Sequence, residues 1–407
     1  MNATAFDAFD AECMRRALEL AARGLYTTDP NPRVGCVLAA GGRIIAEGWH
    51  ERAGEAHAEV RALEVAGAAA RGATAYVSLE PCSHHGRTPP CADALARAGV
   101  ARVVYALEDP NPKVRGGGAA ALRAAGIRVE GGLLAAEAAA LNPGFIKRMQ
   151  HGLPFVRVKL GASLDGRTAL ASGESRWITG KRARQDAQRY RARSSAVLTG
   201  IDTVLADDPA LNVRIEEEAR QPLRVVLDSA LRLPPAARLI EREGAPLVFT
   251  SEAALASSPA RAALAGRGVR IEALPLEAPG RLSLPAALRR LAELECNEVW
   301  VEAGARLAGA FIAAGLVDEL VVYVAPRLLG HAARPLAELP APASLEATTA
   351  FHFTECTPIG DDLRLVARPA TAGGDQAVAP AGIIQDVVVD TMARYAGRPP
   401  GADVTNE

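Results

Sequence analysis

The chain has 407 residues, 49% of them hydrophobic, enough for two or three domains with sizeable cores. Its 46 Lys and Arg against 47 Asp and Glu leave a formal net charge of -1. That balance argues against a polyanion-binding surface, and so against a nucleic-acid substrate. No apolar run reaches membrane-spanning length, no charged-then-apolar leader opens the chain, and the six Cys show no dense disulfide spacing. A cytoplasmic protein is expected, with no membrane partner.

In chain order, Met14, Ala17, Leu18, Ala21 and Ala22 share one face of a helix over about Asp10–Arg23, which Gly24 ends. Asp29-Pro30-Asn31-Pro32 is a turn into a strand over Val34–Leu38. Gly41-Gly42 then makes a hairpin to a second strand over Arg43–Trp49. His57 opens a helix that runs through Val60 and Leu63 to about Ala70. A strand over Ala73–Leu79, a helix from Cys91 to Ala98, a strand over Val100–Leu107, a helix near Ala119–Ala125 and a strand over Ile127–Glu130 follow. Such alternation implies a sheet covered by helices. Gly116-Gly117-Gly118 has no phosphate-cradle spacing and reads as a flexible helix entry.

The chemistry in this half lies between His57 and Cys91. His57, Cys82 and Cys91 are three good ligands for a tetrahedral zinc ion, and a catalytic zinc keeps its fourth position for water. The metal brings the pKa of that water from 15.7 towards roughly 7. Glu59 stands two residues after His57, a spare acid placed to shuttle protons. Residues i and i+2 lie roughly 200° apart around a helix, so both reach one metal only if it sits beyond the helix start. The positive end of the helix dipole lies there and favours an anion. A purely structural zinc would close the fourth position with another Cys or His. His-x-Glu followed by Pro-Cys and a second Cys resembles the zinc nucleobase deaminases. Their usual second half is Pro-Cys-x-x-Cys, whereas here a longer loop, stiffened by Pro89-Pro90, separates Cys82 from Cys91.

After a helix over Leu134–Leu141, Pro143-Gly144-Phe145 breaks the pattern, and a boundary is expected near Gly152. Strands are expected at Phe155–Leu160, Ala196–Thr199, Arg224–Leu227, Leu247–Phe249 and Val299–Val301. Helices near Lys181–Arg191, Ala253–Ala265 and Pro285–Glu293 alternate with them, again α/β. Glu302 ends a strand and leads into Gly304-Ala305-Arg306-Leu307-Ala308-Gly309-Ala310, a turn opening a helix. Such a start can receive an anion, although two glycines serve tight packing equally well, and the Gly-x-Gly-x-x-Gly fingerprint is absent. Thr199 to Pro209 either holds a ligand or caps a helix.

Several stretches together resemble the bacterial family of bifunctional riboflavin-biosynthesis deaminase/reductases. They are Asn31 to Cys36, Gly54 to Glu59, Leu79 to Cys91, Lys159 to Thr168, Ala206 to Pro209, and Glu302-Ala303-Gly304. The long loop between the two Cys is particular to this group of deaminases. The resemblance implies a cytidine-deaminase-like three-layer domain over 1–152 and a dihydrofolate-reductase-like α/β domain over 153–368. Residues 369–407 have no counterpart; Ala370–Pro380 reads as a flexible linker, and Ile383–Tyr395 as a frayed or docking helix.

The resemblance further implies one zinc ion per chain and NADPH. The substrate would be a phosphoribosylated diaminopyrimidine, deaminated with Glu59 moving the protons and then reduced at the ribosyl group to ribityl. The cofactor contacts would be Gly161, Trp177, Thr203, Asp207, Ser229 and the turn Gly304 to Ala310. The substrate contacts would be Ser175, Arg191, Leu211, Arg214 and Glu302, with Asn31 and His50 on the pyrimidine. Arg191 and Arg214 suit phosphate, because a guanidinium fork matches its oxygens, although either alone could be a surface ion pair. Trp177 stacks on a ring or fills the core. The family implies a homo-oligomer. The alternatives are a zinc deaminase of another nucleoside or base with a nucleotide-binding second domain, and a non-catalytic zinc module.

Overall fold

The computed structural model describes residues 6–83, 89–112 and 114–370. The tip of the loop between the motif cysteines, residues 84–88, and the helix expected over Ile383–Tyr395 lie outside the described residues.

The first sheet has five strands in the order Arg43–Trp49, Gly35–Ala40, Thr74–Leu79, Arg102–Leu107 and Arg128–Gly131. The first three pair antiparallel and the last three parallel. Alternate residues face opposite sides of a strand, and the sheet uses both. Val37, Tyr76 and Val104 pack with the helix Ala8–Ala22, while Cys36, Leu38, Val77 and Val103 pack with Ala62, Leu95 and Leu122 from three helices on the other face. The result is three layers. Asp7 and Asp10 form a reciprocal capping box at the first helix. Gly41 and Gly42 take φ of 58° and 72°, as a tight hairpin requires.

The second sheet has nine strands. From one edge they run Arg270–Ala273, Leu247–Thr250, Leu223–Leu227, Ala196–Gly200, Glu298–Glu302, Phe155–Ser163, Glu319–Ala325, Asp362–Pro369 and Phe351–Ile359. Seven are parallel, and the last two form an antiparallel hairpin on the edge. Two apolar clusters fill its two faces, one around Val158, Leu198 and Val301, the other around Val197, Val226 and Trp300.

Three expectations are corrected. Pro143-Gly144-Phe145 does not break the chain but opens a helix, Pro143–His151, with Pro143 in its first turn, where a missing N–H costs nothing. Gly116 to Gly118 is not a flexible entry. The helix Gly117–Ala124 lies so close to the loop before Cys82 that a Cβ on Gly118 would stand 1.7 Å from Pro81 O. Four strands beyond those expected complete the second sheet: Arg270–Ala273, Glu319–Ala325, Phe351–Ile359 and Asp362–Pro369.

The two sheets meet through polar contacts. Arg33 Nη1 reaches Glu298 Oε1 at 2.8 Å, with both side chains buried. Burial alone would raise the Glu298 carboxyl, but Arg193, Arg157 and Arg33 outweigh it and hold it well below the carboxylate range.

Candidate active sites

His57 is the N-cap of the helix Ala58–Ala66, in extended backbone at φ -73° and ψ 163°. Its ring therefore lies beyond the helix start, as the i, i+2 spacing with Glu59 demands. Cys82 leaves the strand Thr74–Leu79, and Cys91 is the first residue of the helix Cys91–Ala98. The three ligand atoms all lie within 4.8 Å of one another. His57 Nδ1 is 3.2 Å from Cys91 Sγ and 3.7 Å from Cys82 Sγ. Zinc bonds of about 2.0–2.3 Å at tetrahedral angles need edges of roughly 3.5 Å, so the donor set fits this ion.

The charges suit a cation. Hydrogen bonds from Cys91, its thiol and its backbone N–H, and from His57 draw the Cys82 thiol well down, while that thiolate and burial push Cys91 up. A bound dication ionises both thiols outright. The Cys82 partner raises His57 against the opposing effect of burial. Glu59 is 3% exposed. Burial pushes its carboxyl up to about 7, with the Cys82 charge adding and His57 opposing.

Glu80, in the same motif, plays a different part. Its buried carboxylate accepts from the backbone N–H groups of Asp109, Gly116 and Ala119 at 3.2, 3.0 and 3.0 Å, tying the loop before Cys82 to the start of the helix Gly117–Ala124. His50 stands with its ring 5.3 Å from that of His57. Asn31 Nδ2 donates to His50 Nε2 at 3.0 Å, which leaves the ring proton on Nδ1, 3.2 Å from Ala56 O. Burial lowers His50 and favours this neutral form.

The second group of expected residues lies at the carboxyl ends of parallel strands in the larger sheet, where open α/β sheets bind ligands. Glu302 ends its strand, and the register sets it beside Lys159. Its carboxylate accepts from Arg191 Nε at 2.5 Å, Arg191 Nη2 at 2.8 Å and Trp300 Nε1 at 2.8 Å. Burial raises the Glu302 carboxyl, but Arg191, with Lys159 and Trp300, brings it down to about 2. Arg214 is exposed and close enough to feel both Arg191 and Glu302. Gly161 lies on the strand that carries Lys159, with its open side towards Lys159 Nζ and Thr179. Lys159 opens one of the stretches that carry the family resemblance, but that resemblance assigns it no role. The strand register places it beside Glu302, and burial lowers its pKa.

Trp177 is 62% exposed, so it does not fill the core. Arg184 covers its ring at 4.3 Å, and the neighbouring Arg176 pairs with Asp207 at 3.2 Å. Thr203 and Asp207 share the helix Ile201–Asp207, and Ser229 follows the strand Leu223–Leu227. Ser175 is half-buried.

Some expected contacts need correction. Leu211 is 1% exposed and packs in the core, so only its backbone can meet a ligand. The stretch Gly304 to Ala310 opens a helix as expected, with Gly304 as N-cap and the helix running from Ala305, so most of it is helix rather than turn. Ala305, Ala308 and Gly309 face inward, Leu307 and Ala310 pack on the core, and Gly304 and Arg306 are exposed. Gly309 is there for packing, since its Cβ would stand 2.0 Å from Glu338 O. Arg191 spends its fork on Glu302 and its Nη1 on Asn212 O at 3.0 Å, whereas the exposed Arg214 bonds Asn212 Oδ1 at 2.8 Å.

Comparison with known proteins matches each half. Residues 7–107 match the family described as cytidine and deoxycytidylate deaminase zinc-binding region, and residues 154–365 match RibD C-terminal domain. The riboflavin biosynthesis protein RibD of Escherichia coli K12 is 51% identical over 368 residues, spanning 88% of this chain and 98% of that protein. The RibD of Bacillus amyloliquefaciens is 43% identical over 88% of this chain and 95% of its own length. The solved structure of Acinetobacter baumannii RibD superposes with a TM-score of 0.83 at 46% identity, covering 89% of this chain and 99% of that one. The deaminase/reductase of Thermotoga maritima gives 0.78 at 35% identity over 89% and 99%.

Proposed function

The chain belongs to the RibD family of riboflavin-biosynthesis proteins, and from that membership we propose which of its residues carry the two activities. The enzyme is a zinc-dependent deaminase joined to an NADPH-dependent reductase. We assign deamination to residues 1–152 and reduction to residues 153–368. The substrate of the first step is 2,5-diamino-6-(5-phosphoribosylamino)pyrimidin-4-one. The second step turns the ribosyl group of 5-amino-6-(5-phosphoribosylamino)uracil into ribityl.

In the first step His57, Cys82 and Cys91 would hold the zinc ion, which when bound would supply a water ionised near neutral pH. Asn31 and His50 hold the pyrimidine, with His50 neutral. Glu59 takes two protons in turn from the attacking water, giving the first to the ring nitrogen and the second to the departing ammonia as the carbon–nitrogen bond breaks. Its burial against the ligand set, with a carboxyl drawn up to about 7, suits a group that must both take and give protons. The observation that carries this reading is the ligand triangle with that spare buried acid beside it.

In the second step NADPH supplies the hydride. Arg214 holds the phosphate, while Glu302, fixed by Arg191 and Trp300, orients the opened ribosyl chain. Lys159 stands beside Glu302 as the proton source for the reduced imine or aldehyde. Gly161, Trp177, Thr203, Asp207, Ser229 and the exposed start of the helix from Ala305 form the cofactor side. None of the six cysteines is in a disulfide, which suits a cytoplasmic enzyme. The strand Phe351–Ile359 stands at the edge of the larger sheet, and an edge strand is a ready template for pairing with another chain, which supports a homo-oligomer.

The test is Glu59→Gln. Zinc should stay bound, ammonia release should fall by about 10²–10⁴, and reduction of directly supplied deaminated intermediate should continue. Near-normal ammonia release would remove Glu59 from the mechanism.

A further inference from the structure

The deaminase site is not held by its own half alone. Asn31 is carried on the turn from Asp29 to Arg33, and that turn is gripped from the other sheet. Asn297 precedes the strand Glu298–Glu302 and is 4% exposed. Its Nδ2 donates to Asp29 Oδ1 at 3.0 Å and to Pro30 O at 2.8 Å. Its Oδ1 accepts from Arg148 Nε at 2.7 Å. Ser195 Oγ donates to the same Asp29 oxygen at 2.8 Å. At the far end of the turn, Arg33 is fixed to Glu298.

We propose that Asn297 is a positioning residue for deamination. It lies on the strand that leads to the reductase site, yet it fixes the turn that presents Asn31 to the pyrimidine. This rests on the reading of Asn31 and His50 as pyrimidine contacts. An amide is required at this place, because one end must donate to two oxygens of the turn while the other accepts from a guanidinium. A carboxylate of the same shape would set lone pairs against Asp29 Oδ1 and Pro30 O, which removes both bonds and adds like-charge repulsion. Glu302 lies five residues further along the strand, roughly 16 Å away at about 3.3 Å per residue. The reductase site is thus insulated from the change.

The experiment compares full-length Asn297→Asp and Asn297→Ser with Lys147→Ala. Lys147 bonds Asp318 at 2.6 Å, a contact between the same two halves that does not involve the turn. Both Asn297 variants should raise the KM for the diaminopyrimidine about tenfold, the worth of one lost hydrogen bond of ordinary strength. Their kcat should change less, zinc content should match wild type, and reduction of supplied intermediate should be unaffected. Lys147→Ala should leave the KM of deamination alone. An unchanged KM in a folded Asn297 variant overturns the proposal, as does an equal rise in Lys147→Ala, which would point to general loosening between the halves. Should neither Asn297 variant fold, Asp29→Ala removes the oxygen that accepts from both Asn297 and Ser195 and must raise the same KM. A wild-type chain that releases no ammonia from this substrate refutes the site reading itself, and the proposal with it.

Discussion

Gly118→Ala separates helix propensity from tertiary packing. Gly118 is in the first turn of the helix Gly117–Ala124. Propensity alone favours alanine within a helix by about 1 kcal/mol. The structure reverses the sign. The new Cβ would stand 1.7 Å from Pro81 O, so helix and loop must part by about 1.3 Å to reach even a 3.0 Å contact. Both sides of that contact are backbone, and neither can turn away as a side chain would. Overpacking of this kind costs typically about 1–3 kcal/mol, occasionally more, which outweighs the propensity gain. The displacement also passes to Cys82, the next residue after Pro81, whereas zinc ligands tolerate shifts of only about 0.2 Å. Gly118→Ala should therefore melt lower than wild type, by about 2–4 °C per kcal/mol lost, and should lose zinc to a chelator sooner. Gly266→Ala is the control, because a Cβ there meets nothing within 4 Å; it should melt at or slightly above wild type. Thermal melts with zinc retention measure both. A Gly118→Ala protein that melts higher and keeps its zinc would refute the reasoning.

Cys82→Ser should remove zinc and ammonia release together, and full zinc occupancy by elemental analysis would exclude Cys82 as a ligand. Arg214→Ala should raise the KM of reduction for the phosphorylated intermediate while leaving ammonia release unchanged; steady-state kinetics with supplied intermediate reads this. Glu302, held at about 2 against an ordinary 4.5, stabilises the fold fully above pH 4.5 and loses that contribution as pH falls towards 2. The melting gap between wild type and Glu302→Gln should accordingly be widest near neutrality and shrink below pH 4.5. A gap that stays constant down to pH 3, roughly midway through that window, would contradict the Arg191 pairing.

The zinc site is legible in the sequence because its signal is local. His57, Glu59, Cys82 and Cys91 lie within one stretch, and each sits at an element end that turn and helix signals locate. The hairpin at Gly41-Gly42 is legible for the same reason. What escaped depends on pairs distant in the chain. Lys159 opens a family-matching stretch but has no role there until the register brings it beside Glu302. Gly118 resembles a loop glycine until Pro81 is known to press on it. Pro143 marks a break or a first helical turn equally well, and packing chose the second. Arg191 suits a phosphate by charge alone, but Glu302, 111 residues away, already occupies its fork. Nothing near Asn297 hints at Asp29, 268 residues earlier.

The central claim is that one chain performs two consecutive steps on one phosphoribosylated pyrimidine. Purified protein incubated with the diaminopyrimidine substrate, with and without NADPH, tests it when the products are identified by mass. Without NADPH the product should be the substrate with one amino group replaced by oxygen, its ribosyl group unchanged. With NADPH that product should gain one hydride and one proton. An unaltered diaminopyrimidine, with ammonia released only from cytidine or guanine, would contradict the account.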